Sequence, residues 1–204
     1  MIDRTQHWQQ VYTTKHENEV SWFQERPDIS LAMIEAAGAR PESAIVDIGG
    51  GASRLVDVLL QDGYRALTVL DLSAAALEAA KQRVGIASAD VDWIAADVTT
   101  WQPQRQYDIW HDRAAFHFLT EPADRAAYIA RLKQALAPAA QVIIGTFALD
   151  GPEKCSGLPV QRYDARSLAD TLGSDFRLLE TRSEIHRTPW QSTQSFQFSR
   201  FERV

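Results

Sequence analysis

The sequence has little cysteine and no long apolar run. Its 204 residues include one cysteine, Cys155, which excludes an internal disulfide framework and a cysteine-built zinc site. No apolar stretch approaches the ~20 residues of a membrane-spanning helix. Residues 1–10 are polar and lack the apolar region of a signal peptide. We therefore expect a protein of the reducing cytoplasm with no membrane partner.

The sequence also has no excess of basic over acidic residues. The net charge of -6 argues against non-specific nucleic-acid binding, which needs a basic surface. The hydrophobic content of 45% is ordinary for a globular protein, and the length suffices for one full core. We predict a single domain over residues 1–204 and no nucleic-acid partner. The oligomeric state stays open, and a monomer is compatible with the sequence.

A glycine turn follows a short apolar run in the first quarter of the chain. Residues 44–48 have the length and β-branched content of a buried parallel strand. Ser53 is a candidate N-cap for a helix over 54–61. Between them Gly49, Gly50 and Gly51 permit a sharp turn and the close approach of a ligand. This order is typical of nucleotide binding at the carboxyl end of a strand in doubly wound folds.

Acidic residues around this turn indicate the kind of nucleotide. Arg54 stands at the third glycine place of the dinucleotide fingerprint, which disfavours an NAD-dependent oxidoreductase. Asp47 precedes the turn, and Asp71 follows it by roughly 20 residues, where a ribose-binding acid is expected. This pattern resembles the class I S-adenosylmethionine-dependent methyltransferases. The resemblance implies that Asp71 binds the ribose hydroxyls and that Asp97 lies near the adenine. The cofactor-binding residues predicted on this basis are Trp8, Tyr12, Trp22, Asp47, Gly49, Gly50, Gly51, Arg54, Asp71, Leu72, Ser73, Asp97, Val98 and His111.

Helical and strand patterns alternate along the rest of the chain. Helices are predicted over 30–37, 54–61, 73–84, 121–137 and 164–172, and strands over 44–48, 66–72, 91–96, 107–110 and 141–149. Two late segments, 176–184 and 195–202, alternate apolar and polar residues. The order predicts an α/β, Rossmann-like three-layer sandwich with a mostly parallel seven-stranded sheet and an antiparallel C-terminal strand. The aromatic segment 1–27 either docks on this domain or folds over the cofactor as a lid.

The segment after the predicted fourth strand concentrates polar side chains. His111, Asp112, Arg113 and His117 follow one another closely, near the place where a doubly wound sheet binds its ligand. One interpretation is an Asp112–Arg113 structural pair with His117 capping a helix. The other is that all four are catalytic residues facing the methyl acceptor.

Residues 107–115 resemble the thiopurine S-methyltransferase family, whose fourth strand runs into an aromatic-x-Asp-Arg-Gly-Ala segment. Asp124-Arg125-Ala126-Ala127-Tyr128 matches that family's Asp-Arg-x-x-Tyr helix, and Gly151-Pro152 with residues 157–160 resembles its loop after the fifth strand. Plant thiol methyltransferases share these features. Ala114 departs from the pattern, since the family has Gly there. The resemblance implies that the acceptor is a thiol or a related polarisable nucleophile.

Methyl transfer from a sulfonium needs in-line alignment in a dry pocket. Only a thiolate attacks, and a nearby cation favours it. Arg113, oriented by Asp112, is the candidate cation, and His111 or His117 is the candidate proton acceptor.

Candidate acceptor-binding residues follow the fifth strand. Arg162 and Tyr163 are candidates to bind an acceptor carboxylate or another anion, and the alternative for Arg162 is a solvated surface arginine. Cys155 is a further candidate, against the alternative of an incidental thiol. No metal is predicted, since the spacing of the polar segment fits no standard helix-borne ligand pair.

The preferred interpretation is transfer of a methyl group from S-adenosylmethionine to a small-molecule acceptor, which yields S-adenosylhomocysteine. A protein-lysine N-methyltransferase is the alternative and would have an open, acidic acceptor groove. A cofactor-binding module without catalysis would have no room beside the methyl group.

Overall fold

The computed structural model describes residues 3–204. Its seven-stranded sheet has the order β3-β2-β1-β4-β5-β9-β8. The first five strands in this order are parallel, whereas β9 pairs antiparallel with β5, and β8 antiparallel with β9. The strands are β1 (Ala44–Ile48), β2 (Ala66–Asp71), β3 (Val91–Ala95), β4 (Tyr107–Arg113), β5 (Leu136–Phe147), β6 (Lys154–Cys155), β7 (Leu158–Pro159), β8 (Phe176–Arg187) and β9 (Thr193–Arg203).

Six α-helices accompany these strands within residues 3–204. They are α1 (Arg4–Thr14), α2 (Asp28–Ala36), α3 (Leu55–Gln61), α4 (Ala74–Val84), α5 (Pro122–Ala135) and α6 (Ala165–Leu172). None of the helices described there is long and apolar enough to cross a membrane. The predicted Rossmann-like α/β fold is confirmed.

The sheet separates two apolar cores. Every residue of β1 is buried, because helices cover both faces of the parallel strands. Val46 packs in the core that contains the buried side chains of α5 and α6. Ile45 packs in the core that contains those of α2, α3 and α4. The result is the predicted three-layer sandwich.

Helix starts and ends differ from the sequence prediction by a few residues. α3 begins at Leu55, whose N–H donates to Ser53 Oγ at 3.1 Å. α5 ends at Ala135, and β5 begins at once with the buried Leu136. The predicted helix over 121–137 ends two residues later, directly before Pro138, but the residue before a proline disfavours the helical conformation.

The fourth strand continues beyond its predicted end at residue 110. His111 pairs with Asp47 of β1, and Arg113 pairs with Gly145 of β5. The polar run therefore lies in a strand and not in a loop. Since side chains alternate along a strand, His111 and Arg113 point to one face of the sheet and Asp112 points to the other. The four polar residues cannot all face one acceptor.

Candidate functional site

A cavity of about 830 Å³, including its opening to solvent, lies at the carboxyl ends of the central strands. The end beside β1, β2 and β3, called here the cofactor end, is lined by Ile48, Gly49, Leu70, Asp71, Leu72, Ala96, Asp97 and Val98. The other end, called here the acceptor end, is lined by Arg113, Ala114, Ala115, Phe118, Leu119, Phe147, Cys155 and Phe196.

The glycine loop fits tightly against its neighbours at the cofactor end. Gly49 has a left-handed φ of 68° and donates its N–H to the Leu70 carbonyl at 2.7 Å. A Cβ on Gly49 would lie 2.7 Å from Cβ of Ala115, and one on Gly51 would lie 2.5 Å from Oδ2 of Asp71. A side chain at Gly49 would thus crowd Ala115, and one at Gly51 would crowd the buried carboxylate. The loop can pass this close to its neighbours only because these residues are glycines.

Asp71 ends β2 and lines the cavity as a buried carboxylate. The Ser73 N–H donates to its Oδ1 at 2.7 Å. Burial raises the pKa of Asp71 to about 7, although backbone donors, Ser73 among them, oppose this. The carboxylate is thus desolvated and oriented, as an acceptor for hydroxyl donors should be.

Asp97 lines the same end after β3. Its Oδ1 accepts from the Thr99 N–H at 2.8 Å and from Thr99 Oγ1 at 2.7 Å. Arg4 of α1 lies 3.5 Å from its Oδ2. Leu72 and Val98 add apolar wall to the cavity. Ser73 does not line it but caps α4, accepting the Ala76 N–H at 3.1 Å.

The aromatic N-terminal segment lies across the cavity. Trp8, Tyr12 and Trp22 all line it, and Trp22 Nε1 donates to Tyr12 Oη at 3.1 Å. Trp8 packs edge-on against Trp22 at 5.5 Å and against Phe118 at 5.0 Å between ring centroids. Burial, followed by the charge of Asp71, raises the pKa of Tyr12. The aromatic cluster joins the N-terminal segment to the acceptor end.

Polar contacts anchor α1 on both sides of the cavity. Gln9 Oε1 accepts from Ser73 Oγ at 3.1 Å and from the Ala75 N–H at 3.2 Å. His7 Nε2 lies 3.4 Å from Ser156 Oγ, in the turn between β6 and β7.

Arg54 lies outside the main cavity. Its guanidinium pairs with Glu17 at 2.6 Å and also with Glu25. Arg83 of α4 binds the same Glu17 and holds Asp57 at 2.7 Å. Burial alone would raise the pKa of Glu17, but the hydrogen bonds and charges of the two arginines outweigh it and lower that pKa. Arg54 therefore joins the N-terminal segment to the start of α3.

His111 and Asp47 form a buried pair behind the glycine loop. His111 Nδ1 lies 2.7 Å from Asp47 Oδ1, and its Nε2 lies 2.8 Å from Ser30 Oγ. Neither residue lines the main cavity. Since both ring nitrogens are engaged, His111 has no free nitrogen for an acceptor's proton.

Asp112 closes the turn after β4 on the opposite face of the sheet. Its Oδ1 accepts from the Ala115 N–H at 2.9 Å, and its Oδ2 accepts from Tyr128 Oη at 2.7 Å. Trp110 Nε1 donates to the same hydroxyl at 2.7 Å. Burial raises the pKa of Asp112 to about 6, although the hydrogen bonds that Tyr128 and Ala115 donate to its carboxylate oppose this rise. Within residues 3–204 it forms no ion pair with Arg113, so neither the structural pair nor an orienting role is observed.

His117 lies behind the acceptor end and does not line the cavity. Its Nδ1 accepts the Phe147 N–H at 3.3 Å. Burial, aided by the charge of Arg113, lowers the pKa of His117 to about 3. The ring is neutral near pH 7 and braces the end of β5.

Arg113 and Cys155 do line the acceptor end. Arg113 Nη1 donates to the Trp22 carbonyl at 2.9 Å, and its Cζ lies 4.8 Å from the centroid of the Phe196 ring. Burial lowers the pKa of Arg113 and raises that of Cys155 to about 11. Beside Arg113, Ala114 has a left-handed φ of 69°, which glycine adopts at less cost.

Arg162 and Tyr163 are not brought to the cavity. Arg162 donates to the Gly151 carbonyl at 3.0 Å and lies 3.3 Å from Glu153. Tyr163 is buried beside Phe116, with 5.6 Å between ring centroids. Sequence reasoning missed the aromatic side chains at the acceptor end. They are Phe118, Phe147 and Phe196, and of these only Phe147 carried a sequence signal, since it ends the apolar fifth strand.

Nothing in residues 3–204 suggests a metal centre, since they contain no cluster of three or more histidine, cysteine or acidic side chains fit to hold an ion.

Comparisons with known proteins agree with this geometry. Residues 45–139 match a family model described as a methyltransferase domain. A malonyl-[acyl-carrier protein] O-methyltransferase of Anoxybacillus flavithermus (strain DSM 21510 / WK1) is 32% identical over 109 residues, 52% of this chain. The chain spans only 40% of that relative's length.

Two solved structures share the fold over nearly the whole chain. One concerns the conversion of a disulfide bond into a thioacetal group during echinomycin biosynthesis; it has a TM-score of 0.76 and 19% identity over 98% of this chain and 92% of its own. The other is Burkholderia thailandensis 1,6-didemethyltoxoflavin-N1-methyltransferase with bound 1,6-didemethyltoxoflavin and S-adenosylhomocysteine. It has a TM-score of 0.75 and 21% identity, and the match covers 98% of this chain and 88% of the other. Residues 45–139 thus match a methyltransferase domain, and the whole chain has a fold that is also seen in S-adenosylmethionine-dependent methyltransferases.

Proposed function

We propose that this protein transfers the methyl group of S-adenosylmethionine to a small-molecule acceptor by in-line displacement and leaves S-adenosylhomocysteine. The observation that carries the proposal is the single cavity with two different ends. Asp71 and the glycine loop form the cofactor end, and an aromatic wall around Arg113 forms the acceptor end. A cavity of this kind holds donor and acceptor together and gives the alignment that the reaction needs.

The cofactor end supplies the groups that a nucleoside requires. We assign Asp71 as the acceptor for the ribose hydroxyls, because its carboxylate is buried and held by Ser73. Gly49, Gly50 and Gly51 border the amino-acid portion of the cofactor. Asp97, with the apolar Leu72 and Val98, borders the adenine.

Bound S-adenosylmethionine supplies an electrophilic methyl group on a sulfonium. The chain's own contribution is to exclude water and to orient the acceptor. Trp8, Tyr12 and Trp22 cover the cavity, and Phe147 and Phe196 form part of its wall. These side chains make the dry surroundings in which a displacement at carbon proceeds best.

A thiol or another polarisable nucleophile suits the acceptor end. His111 and His117 do not line the cavity, so neither is placed to take a proton there. A thiol needs no strong base, since its free pKa of about 8.5 lies near neutrality. The guanidinium of Arg113 favours the thiolate further.

A lysine side chain suits the site less well. An ammonium acceptor would prefer acidic surroundings, whereas Arg113 places a positive charge there. The aromatic side chains of α1 and Trp22 also cover the cavity, where a protein substrate would need an open groove. These two observations favour a small molecule over the protein-lysine alternative.

Calorimetric titration with S-adenosylmethionine and S-adenosylhomocysteine tests the first step. A thiol panel of sulfide, methanethiol, thiophenol and 6-mercaptopurine, scored for S-adenosylhomocysteine release, tests the second. Asp71→Asn serves as the binding-deficient control. Absence of cofactor binding by the unmodified protein would overturn the proposal, and binding with turnover of no thiol would remove the thiol assignment.

A further inference from the structure

One charge at the acceptor end has no counterion. The guanidinium of Arg113 forms no ion pair with any residue between 3 and 204. Its Nη1 donates to the Trp22 carbonyl at 2.9 Å, while its Nε and Nη2 are buried without a hydrogen-bond partner. An unpaired buried charge is strongly unfavourable, and buried guanidinium groups normally meet a carboxylate or a phosphate. The partner of Arg113 is therefore expected to come from outside the chain.

The acidic groups that act on Arg113 through space do not contact its guanidinium. Glu184 of β8 opposes the lowering of its pKa through space, but the Glu184 carboxylate accepts from the Gln24 amide at 2.7 Å, and its second oxygen is buried without a partner. Asp47 is engaged by a buried histidine of β4. The thiol of Cys155 stays neutral, because burial raises its pKa to about 11.

The surroundings of the unpaired charge are aromatic. Phe196 lies against the guanidinium, and Phe147 and Phe118 line the same end of the cavity. Trp8 and Trp22 border it from the N-terminal segment. A flat ring would bury well among these side chains.

We propose that Arg113 is the residue that selects the acceptor, and that the acceptor is an aromatic compound carrying its own negative charge, which the guanidinium of Arg113 binds. This inference rests on the proposed function, because that function defines what the acceptor is. It goes further by naming the chemical class. Arylcarboxylates and aryl thiolates belong to it, and neutral arenes and protonated amines do not.

The charge distribution along the cavity supports this orientation. Asp71 and Asp97 lie at the cofactor end, where Arg4 lies 3.5 Å from Asp97, and Arg113 lies at the acceptor end. An anionic ring is drawn toward Arg113 and away from Asp71, which has no such cation beside it among residues 3–204. The negative charge of the ring is also attracted by the positive sulfonium of the cofactor. This attraction favours the close approach that methyl transfer needs.

A carboxylate could reach Arg113 from two sources, since the cofactor carries one on its amino-acid portion. The two sources are separated by titrating S-adenosylhomocysteine and 5′-methylthioadenosine, which lacks that carboxylate, into the unmodified protein and Arg113→Met. We expect Arg113→Met to bind both nucleosides as the unmodified protein does. A loss confined to S-adenosylhomocysteine would assign the charge to the cofactor and overturn the proposal.

The main experiment uses ligands matched in shape but not in charge. The protein saturated with S-adenosylhomocysteine is titrated with 2-naphthoate and 2-naphthamide, and with benzoate and benzamide. We expect each carboxylate to bind at least about tenfold more tightly than its amide, as a charge-assisted hydrogen bond implies. Arg113→Met should abolish this preference and Arg113→Lys should keep part of it. Glu184→Gln, the matched control that removes the nearby acid, should preserve or strengthen it.

The outcomes separate this inference from the proposed function. Failure to bind S-adenosylhomocysteine at all would remove the proposed function and this inference with it. Binding of S-adenosylhomocysteine with equal affinity for acids and amides would overturn this inference alone. The comparison of carboxylates with amides in the unmodified protein tests this inference even if Arg113→Met does not fold.

Discussion

Gly51 and Asp71 are in such close contact that a Cβ added to Gly51 would lie 2.5 Å from Oδ2 of Asp71 and 2.9 Å from Cβ of Ala76. The conformation of the glycine loop and the position of the Asp71 carboxylate therefore depend on each other. A side chain in the loop must displace the acid or the start of α4.

Gly51→Ala should weaken S-adenosylhomocysteine binding by about tenfold or more, because it displaces the carboxylate assigned to the ribose. Calorimetric titration measures the change. The matched control is Gly63→Ala, where a Cβ meets nothing within 4 Å although φ is 89°. That control should lower the melting temperature and leave the affinity unchanged. Unaltered binding by Gly51→Ala would show that the loop does not set the position of Asp71.

The affinity for S-adenosylhomocysteine should rise by about tenfold between pH 6 and pH 8. Burial raises the pKa of Asp71 to about 7, so the free protein must release a proton before the carboxylate can accept the ribose hydroxyls. Titrations at the two pH values test this. Asp71→Asn should bind weakly at both, and a similar pH dependence in that variant would assign the proton to another group.

The raised pKa of Asp71 also affects the stability of the ligand-free protein, which should decrease with rising pH while the cofactor affinity increases. Because the folded chain keeps Asp71 protonated up to about pH 7 and the unfolded chain ionises it near pH 3.8, the folded state binds more protons in this window. The free energy of unfolding should therefore fall as pH rises from about 4 to about 7. Asp112, whose pKa is raised to about 6, adds to this trend. Denaturant unfolding of Asp71→Asn should show a shallower fall, and an unchanged slope would contradict the assignment.

Glu17→Gln should loosen the N-terminal segment. Glu17 bridges Arg54 and Arg83, and we expect the loss of its charge to cost about 1 kcal/mol, with faster proteolysis before residue 28 and weaker cofactor binding. Glu25→Gln is the matched control, because the Glu25 side chain is 78% exposed, against 22% for Glu17, and pairs only with Arg54 among residues 3–204. Equal effects of the two substitutions would rule out a specific role for Glu17.

Tyr128→Phe should destabilise the fold without altering cofactor affinity. The tyrosine hydroxyl accepts from Trp110 and donates to Asp112. Its removal leaves the buried Trp110 N–H without a partner and takes one donor from the buried Asp112 carboxylate, at about 1–3 kcal/mol. Thermal unfolding and cofactor titration measure the two effects. Tyr64→Phe is the control, since the Tyr64 hydroxyl makes no hydrogen bond within residues 3–204. A loss of affinity in folded Tyr128→Phe would mean that Asp112 acts on the cavity.

The fold could be predicted from the sequence because the local strand, turn and helix patterns follow one another in the order that one sheet requires. The glycine turn, the alternation of strand and helix patterns and the two late alternating segments each required the same sheet. Asp71 and Asp97 could be placed for the same reason, since the carboxyl ends of neighbouring parallel strands meet at one edge. The structure brings both onto one cavity.

The acceptor end could not be predicted in the same way. The polar end of β4 is stabilised by partners distant in the chain, 64 residues away for Asp47 and 16 for Tyr128. Sequence spacing does not show such contacts, so a strand was interpreted as a loop. Phe196 reaches the cavity only through the antiparallel register of β9.

One helix touches both halves of the site. α1 reaches α4 through Gln9 and Ser73, and the β6–β7 turn through His7 and Ser156. We therefore expect both products to leave the cavity past this one segment. We expect the slow step of turnover to be the release of S-adenosylhomocysteine, and the spent cofactor to be a strong inhibitor of the next cycle.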